Sequence, residues 1–315
     1  MHRRTFLSSV TAAVIFGRQN LSFAGQDLPV PHSSPEVIPL WSGTPPGGGG
    51  PEGTLKISPD GALSHIRTPT LSVYSPSTPN GFAVLIAAGG GYKRLEMRKE
   101  ALPAAAWLTA RGFTAYVLTY RLPDEGWGDG SLVALQDAQR ALRIIRQREK
   151  QVSVLGFSAG GHLLGLAATR SHFVSYPPTD ALDSLPARAD RAALIYPVVT
   201  LEPPYTHTST HRILAGKGAS LQQDARWSVQ NFVTPQSPPF FLVQAKDDPV
   251  SNPENTLILQ AACQREHVPV ELFRYSRGGH GFGMGRPGTP TMKWPAHYER
   301  WLMAWQNKGM GGEGR

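Results

Sequence analysis

The sequence predicts an α/β domain, with a mostly parallel central sheet covered by helices on both faces. Three observations lead there. Short apolar runs alternate with amphipathic stretches from about residue 70 to residue 305. The runs are continuously apolar rather than alternating, as strands buried on both faces require. The chain has 315 residues, 40% of them hydrophobic, which is enough for one sizeable core without a second domain.

Taken in order, Leu71–Tyr74 and Phe82–Ala88 read as strands, the second bounded by glycines. Glu100–Ala110 reads as a helix and Thr114–Thr119 as a β-rich run. In 132–148, Leu132, Leu135, Ala138, Leu142 and Ile145 fall at helical spacing. Val152–Leu155 is a short strand, followed by a helix of small residues and leucines over Gly160–Thr169. Ala192–Tyr196 and Phe240–Gln244 are further buried strands. Pro253–Gln264 is helical, Val270–Tyr275 is a strand, and Trp294–Trp305 is the last helix. The domain therefore spans about 66–307, with a flexible tail over 308–315. Residues 25–65, rich in Pro and Gly, are expected to form little regular structure and to lie over the domain as an extension.

The first 24 residues read as an address. Arg3-Arg4-Thr5-Phe6-Leu7 precedes a short apolar stretch, Val10–Phe16, and a small-residue site ends at Ala24. This is the layout of a cleavable signal of the twin-arginine type, and it predicts a periplasmic or secreted mature form. Removing Arg3, Arg4 and Arg18 lowers the net charge from +8 to +5. The remaining basic residues are dispersed, without the interleaved aromatic pattern of nucleic-acid binders. No apolar run reaches the roughly 20 residues that span a bilayer, so stable membrane insertion is not expected. Charged residues make up 17% and are scattered, which argues against disorder and coiled coil. The single cysteine, Cys263, excludes an internal disulfide and reads as a buried helix residue.

Sheets of this kind place function in loops at the carboxyl ends of strands. The run Gly156-Phe157-Ser158-Ala159-Gly160 sits between a strand and a helix. A Gly-x-Ser-x-Gly turn there forces the serine into a strained backbone that lifts its hydroxyl clear of the sheet, so Ser158 is the candidate nucleophile. Phe82–Ala88 ends in Gly89-Gly90-Gly91-Tyr92. Consecutive glycines let N–H groups turn toward a substrate oxygen. Gly90 and Gly91, with the N–H of Ala159, are the candidate oxyanion hole. The alternative, a phosphate cradle, lacks both a following Gly-Lys-Ser/Thr and a GxGxxG pattern.

His280, in Gly278-Gly279-His280-Gly281, follows a strand and is the candidate base. A carboxylate must accept its Nδ1–H, and two aspartates follow the Phe240–Gln244 strand. The Asp-Pro turn favours Asp248, with Asp247 as its rival. Ser158, Asp248 and His280 then stand in the Ser–acid–His chain order of α/β hydrolases. Tyr92, Arg94 and the loop 124–130 with Trp127 are candidates for the mouth, where Trp127 would stack on a substrate or pack on the domain. His162 reads as a packing residue of the nucleophile helix. His207 and His211 lack a third ligand and read as solvent-facing, so no metal is expected.

With Gly89–Tyr92, Lys99-Glu100, Thr119-Tyr120-Arg121-Leu122-Pro123, the run 135–141, Gly156–Leu163 and Gly278–Gly283, residues 70–305 resemble the acetyl esterase/lipase-type α/β hydrolases. Within that group they are similar to the carbohydrate acetyl esterases and feruloyl esterases of the acetylxylan-esterase-like kind. The resemblance implies the α/β-hydrolase fold and hydrolysis of carboxylic esters of carbohydrates through an acyl-enzyme, with no cofactor. The rivals are another Ser-His-Asp hydrolase of the fold (short-chain lipase, formamidase or peptidase) and a non-catalytic binding protein. The natural ester and the oligomeric state are not written in these motifs.

Overall fold

Eight strands form the central sheet of the computed structural model, which describes residues 34–310. In chain order the strands are β1 (Glu36–Pro39), β2 (Lys56–Ile57), β3 (Leu63–Ser64), β4 (Thr70–Tyr74), β5 (Phe82–Ala87), β6 (Thr114–Thr119), β7 (Gln151–Phe157), β8 (Arg191–Ile195), β9 (Phe240–Ala245) and β10 (Val270–Tyr275). The helices are α1 (Leu102–Thr109), α2 (Val133–Arg148), α3 (Ala159–Thr169), α4 (Ser209–Leu214), α5 (Leu221–Arg226), α6 (Glu254–Arg265) and α7 (Trp294–Met310). The sheet order is β1-β4-β6-β5-β7-β8-β9-β10, and β2 pairs with β3 as a separate hairpin. From β6 to β10 every pairing is parallel. The edge formed by β1 and β4 is antiparallel.

Parallel strands need covered faces, and β5, β7 and β9 show why they read as unbroken apolar runs: nearly every residue in them is buried. The helices α2, α3 and α6 cover one face. On the other, α1 and α7 meet through stacked Trp107 and Tyr298 rings 5.8 Å apart, and Tyr298 packs on Phe241 of β9. Cys263 is buried in α6, where desolvation pushes its thiol up to about 12. Among the described residues no helix is long and apolar enough to cross a membrane.

The Pro/Gly-rich segment is more ordered than its composition predicts. Glu36–Pro39 adds the outermost strand to the sheet, with Glu36 opposite Val73 and Pro39 opposite Thr70. Proline is tolerated there because an edge strand has one side free of ladder bonds. Further on, Gly50 N–H donates to the Gly126 carbonyl at 2.9 Å, and Gly128 N–H to the Gly48 carbonyl at 3.1 Å. Residues 1–24, with the signal expected there, and residues 311–315 of the expected tail lie outside the described residues. Residues 294–310 form one continuous helix, so the ordered helix runs past the 307 boundary expected from sequence.

A wholly buried ion pair ties this segment to the motif-bearing domain. Arg121, just beyond β6, places Nε 3.0 Å and Nη2 2.9 Å from the Asp137 carboxylate on α2. Asp137 also accepts the Arg121 backbone N–H and the Trp41 indole N–H, both at 2.9 Å. Arg121 Nη1 donates to the Pro46 carbonyl at 2.7 Å. Two charges taken out of water are tolerated only when their remaining donors and acceptors are filled, and here the N-terminal segment fills them.

Candidate active site

β7 runs straight into Ser158, which adopts φ +50° and ψ −117° before α3 begins at Ala159. Two close approaches hold that turn. A Cβ on Gly156 would lie 2.4 Å from the Gly160 carbonyl oxygen, and one on Gly160 would lie 2.3 Å from that of Ala87. Only glycine at both places lets α3 press against β5 and β7. Ser158 N–H donates to the Ile195 carbonyl at 3.0 Å, which fixes the strained residue to β8.

The structure brings Ser158, His280 and Asp248 into one hydrogen-bonded chain. Ser158 Oγ is 2.8 Å from His280 Nε2, and His280 Nδ1 is 2.7 Å from Asp248 Oδ2. A carboxylate only accepts, so Nδ1 carries the hydrogen and Nε2 is left to accept from the serine hydroxyl. Asp248 is buried, and its Oδ1 accepts the N–H groups of Val250 (2.8 Å) and Ser251 (2.9 Å). Gln244 Nε2 adds a third donor, to Oδ2, at 3.0 Å. Asp247 faces away into solvent and accepts the Gly279 N–H at 2.8 Å, which holds its carboxyl below the usual range. The two neighbouring aspartates thus divide the work: Asp248 meets the imidazole and Asp247 pins the loop that carries it.

Gly90 and Gly91 take φ +121° and +64°. Among the described residues, neither their N–H groups nor that of Ala159 donates to a protein acceptor. Gly89, by contrast, is spoken for: its N–H donates to Glu100 Oε2 at 2.5 Å. The loop abuts Ser158, since a Cβ on Gly89 would lie 2.7 Å from Ser158 Cβ.

Both aromatic residues expected at the mouth are buried instead. Tyr92 is 1% exposed, and its hydroxyl lies 3.0 Å from His162 Nδ1. His162 Nε2 lies 2.7 Å from the Trp227 carbonyl, which can only accept, so Nδ1 is the acceptor for Tyr92. Burial lowers the His162 imidazole to about 4 and keeps it neutral in this role. Tyr92 therefore anchors the glycine loop to α3. Trp127 is 6% exposed and lies under the N-terminal segment, 4.9 Å from the Arg121 guanidinium. Its ring occupies the space that a Cβ on Gly50 would need. The glycine run lets the two backbones approach that closely, so the indole packs on the domain.

Arg94 remains exposed, paired with Glu96. His207 is exposed against the Val250 carbonyl. His211 is buried rather than solvent-facing, and its Nε2 is 2.8 Å from Asp224. Among the described residues no three His, Cys, Asp or Glu side chains are grouped to hold a metal ion.

Two buried polar residues at the site were given no role from the sequence. Tyr196, at the carboxyl end of β8 with φ +39°, sets its ring edge-on to His280 at 5.0 Å. Its hydroxyl donates to Glu100 Oε1 at 2.9 Å. The available signal was positional: Tyr196 ends a buried strand, and Glu100 is a lone carboxyl opening an apolar helix.

The BD-FAE family model matches residues 71–263. An acetylxylan esterase of Xylanibacter ruminicola is 29% identical over 245 residues, covering 74% of this chain and 46% of that protein. Endo-1,4-beta-xylanase B of Butyrivibrio fibrisolvens is 29% identical over 205 residues, covering 63% of this chain and 32% of that protein. The chain thus spans less than half the length of these curated relatives. A solved structure, the acetyl ester-xyloside bifunctional hydrolase of Caldicellulosiruptor lactoaceticus, superposes with a TM-score of 0.71 at 29% identity, covering 86% of this chain and 96% of that one.

Proposed function

The chain belongs to the BD-FAE family and has the α/β-hydrolase fold, and from that premise we propose that it is a serine esterase that removes acetyl or feruloyl groups from carbohydrate esters. The observation that carries this reading is the chain from Ser158 Oγ through His280 to Asp248, set beside a glycine loop with unused N–H groups. The acetylxylan esterase of X. ruminicola and the acetyl ester-xyloside hydrolase of C. lactoaceticus support the choice of acyl group and of carbohydrate.

Each residue then has a task. His280 Nε2 takes the Ser158 proton as Oγ attacks the ester carbonyl carbon, and the carbonyl oxygen becomes an oxyanion. The N–H groups of Gly90, Gly91 and Ala159 stabilise it, each such donor contributing a factor of about 10²–10³. Asp248 stabilises the imidazolium that forms. The carbon–alkoxy bond breaks, and the departing sugar oxygen takes the proton from His280. A water, deprotonated by His280, attacks the acyl-serine, the acyl carbon–Oγ bond breaks, and His280 returns the proton to Ser158 Oγ as the acid leaves.

A chain-length series tests the reading. Hydrolysis of p-nitrophenyl acetate is expected to exceed that of the octanoate by about tenfold or more, since each misfitting hydrophobic increment discriminates by roughly 1–3 kcal/mol. Acetate release from acetylated xylan is expected as well. Preference for octanoate would point to a lipase, and cleavage of an aminoacyl anilide to a peptidase.

The twin-arginine pattern of the first residues supports an extension of the proposal, export of the esterase to the periplasm or beyond. Residues 1–30 fused to a reporter are expected to carry it out of the cytosol, and retention of the fusion there overturns the extension.

A further inference from the structure

Glu100 is a buried carboxyl that acyl transfer does not itself consume. It lies on a π-helical turn, Met97–Ala101, directly ahead of α1, and is 4% exposed. Such turns break the α-helical register and recur at functional sites. Glu100 Oε2 accepts the Gly89 N–H at 2.5 Å, and a Cβ on Gly89 would lie 2.7 Å from Ser158 Cβ and 3.1 Å from that carboxylate oxygen. Glu100 Oε1 accepts the Tyr196 hydroxyl at 2.9 Å, and that hydroxyl accepts the Gly283 N–H at 3.0 Å. Gly89 opens the glycine loop, and Gly283 belongs to the loop that carries His280. One carboxyl group therefore spans both loops that flank the nucleophile.

Resting on the esterase reading of this site, we propose that Glu100 is a positioning residue whose carboxylate fixes the oxyanion loop through Gly89 and the base loop through Tyr196 and Gly283.

Its partners explain why the ionised form is the working one. Gly89 N–H and the Tyr196 hydroxyl both donate to it, so a carboxylate satisfies both. A protonated Glu100 sets a hydrogen against one of them. Tyr196 can turn to accept that hydrogen, but it already accepts from Gly283, and its own hydrogen then loses its acceptor. The carboxylate also faces His280, which is a cation only while the tetrahedral state lasts. A charge that is worth more in that state than in the ground state accelerates the reaction.

Burial works against ionisation and pushes the carboxyl up to about 7. The bonds from Gly89 and Tyr196 oppose that rise, as does a positive charge on His280 whenever the imidazole carries one, and Glu96 adds to it. The titratable groups facing Glu100 are Glu96 from its own turn, Tyr120 from the end of β6, Tyr196 from the end of β8, and His280. Among the described residues no Lys or Arg forms an ion pair with it.

The linkage has a definite sign. A carboxyl raised from 4.5 to about 7 contributes stability that is complete below 4.5 and is lost as the pH rises through about 7. The charge that positions the loops therefore weakens the fold, which separates this role from a structural one. Glu100→Gln keeps the shape and removes the charge. At pH 8, kcat on p-nitrophenyl acetate is expected to fall about 10–10²-fold with KM within about threefold, the scale of a slightly misplaced catalytic group. The Tm of the variant at pH 8 is expected to equal or exceed that of the wild type. The acid limb of the wild-type profile is expected to report two ionisations, and that of the variant one. Tyr196→Phe, which removes only the hydroxyl between Glu100 and Gly283, is expected to lower kcat several-fold at unchanged KM. A kcat for Glu100→Gln within twofold of wild type overturns the proposal. So does a joint fall of kcat and Tm in that variant with Tyr196→Phe indistinguishable from wild type. A wild type whose hydrolysis survives Ser158→Ala overturns the esterase reading and this proposal together. An active, Ser158-dependent wild type with an unaffected Glu100→Gln overturns this proposal alone.

Discussion

Replacing Ser158 by alanine is expected to lower kcat for p-nitrophenyl acetate by about 10⁶-fold, roughly 8 kcal/mol of transition-state stabilisation. The size follows from the connectivity of the site. Without Oγ there is no atom for His280 to deprotonate, and Asp248 then orients a base that has nothing to act on. The loss of one member is therefore close to the loss of all three. What survives is hydrolysis by bulk water at a carbonyl polarised by Gly90, Gly91 and Ala159, about 10³–10⁴-fold above the uncatalysed rate. The fold should be unaffected, because Ser158 holds its place through backbone bonds to β8 and α3 rather than through its hydroxyl. A variant retaining a tenth of wild-type kcat, with contaminating esterase excluded by active-site titration, would remove Ser158 from the mechanism.

The second large effect separates the two adjacent aspartates. Asp248→Asn is expected to lower kcat about 10⁴-fold, and Asp247→Asn by no more than about threefold. In Asp248→Asn the carbonyl oxygen must take the place of Oδ1, because two backbone N–H groups point there. The new amide NH₂ is then forced toward His280 Nδ1. A donor at that place selects the imidazole tautomer with hydrogen on Nε2, which cannot accept the serine proton. Gln244 can turn its own amide to meet the new group, since its Oε1 has no partner among the described residues. The variant is thus expected to fold and to be inactive. Asp247 needs only one oxygen to accept the Gly279 N–H, and asparagine supplies it. Steady-state kcat values for the two variants, measured side by side, decide the assignment, and the reverse order would exchange the roles.

Most of the sheet was legible because strands buried on both faces are apolar without interruption, as in Phe82–Ala87 and Phe240–Ala245. Glu36–Pro39 escaped for the opposite reason: four residues at an edge carry too little pattern, and a Pro/Gly run follows them. The six-residue helices α4 and α5 escaped because fewer than two turns show no periodicity, and the hydroxyls of Thr208 and Ser220 cap them. Ser158 and His280 are readable because local backbone geometry dictates their neighbours, the glycines. The choice between Asp247 and Asp248 depends on which way each carboxyl leaves the turn, and that is set by Gly279 and His280, 32 residues away. Glu100 is harder still, because its partners lie on a different loop and a different strand. Tyr92 shows the converse error, because an aromatic beside glycines looks exposed until the chain that covers it is known; for Trp127 that chain decides between stacking and packing in favour of packing.

The N-terminal strand has a practical consequence for anyone shortening the chain. Cutting at residue 66, where the strand–helix alternation becomes obvious, would bare the outer backbone of β4 as an unpaired edge able to recruit a strand from another molecule. The same cut would take Trp41 from Asp137, the Pro46 carbonyl from Arg121 and the Leu40 carbonyl from Arg140, leaving buried charges partly unmet. Solubility, rather than activity, would be the first property to suffer. An expressed fragment must at least begin ahead of Glu36, where β1 starts.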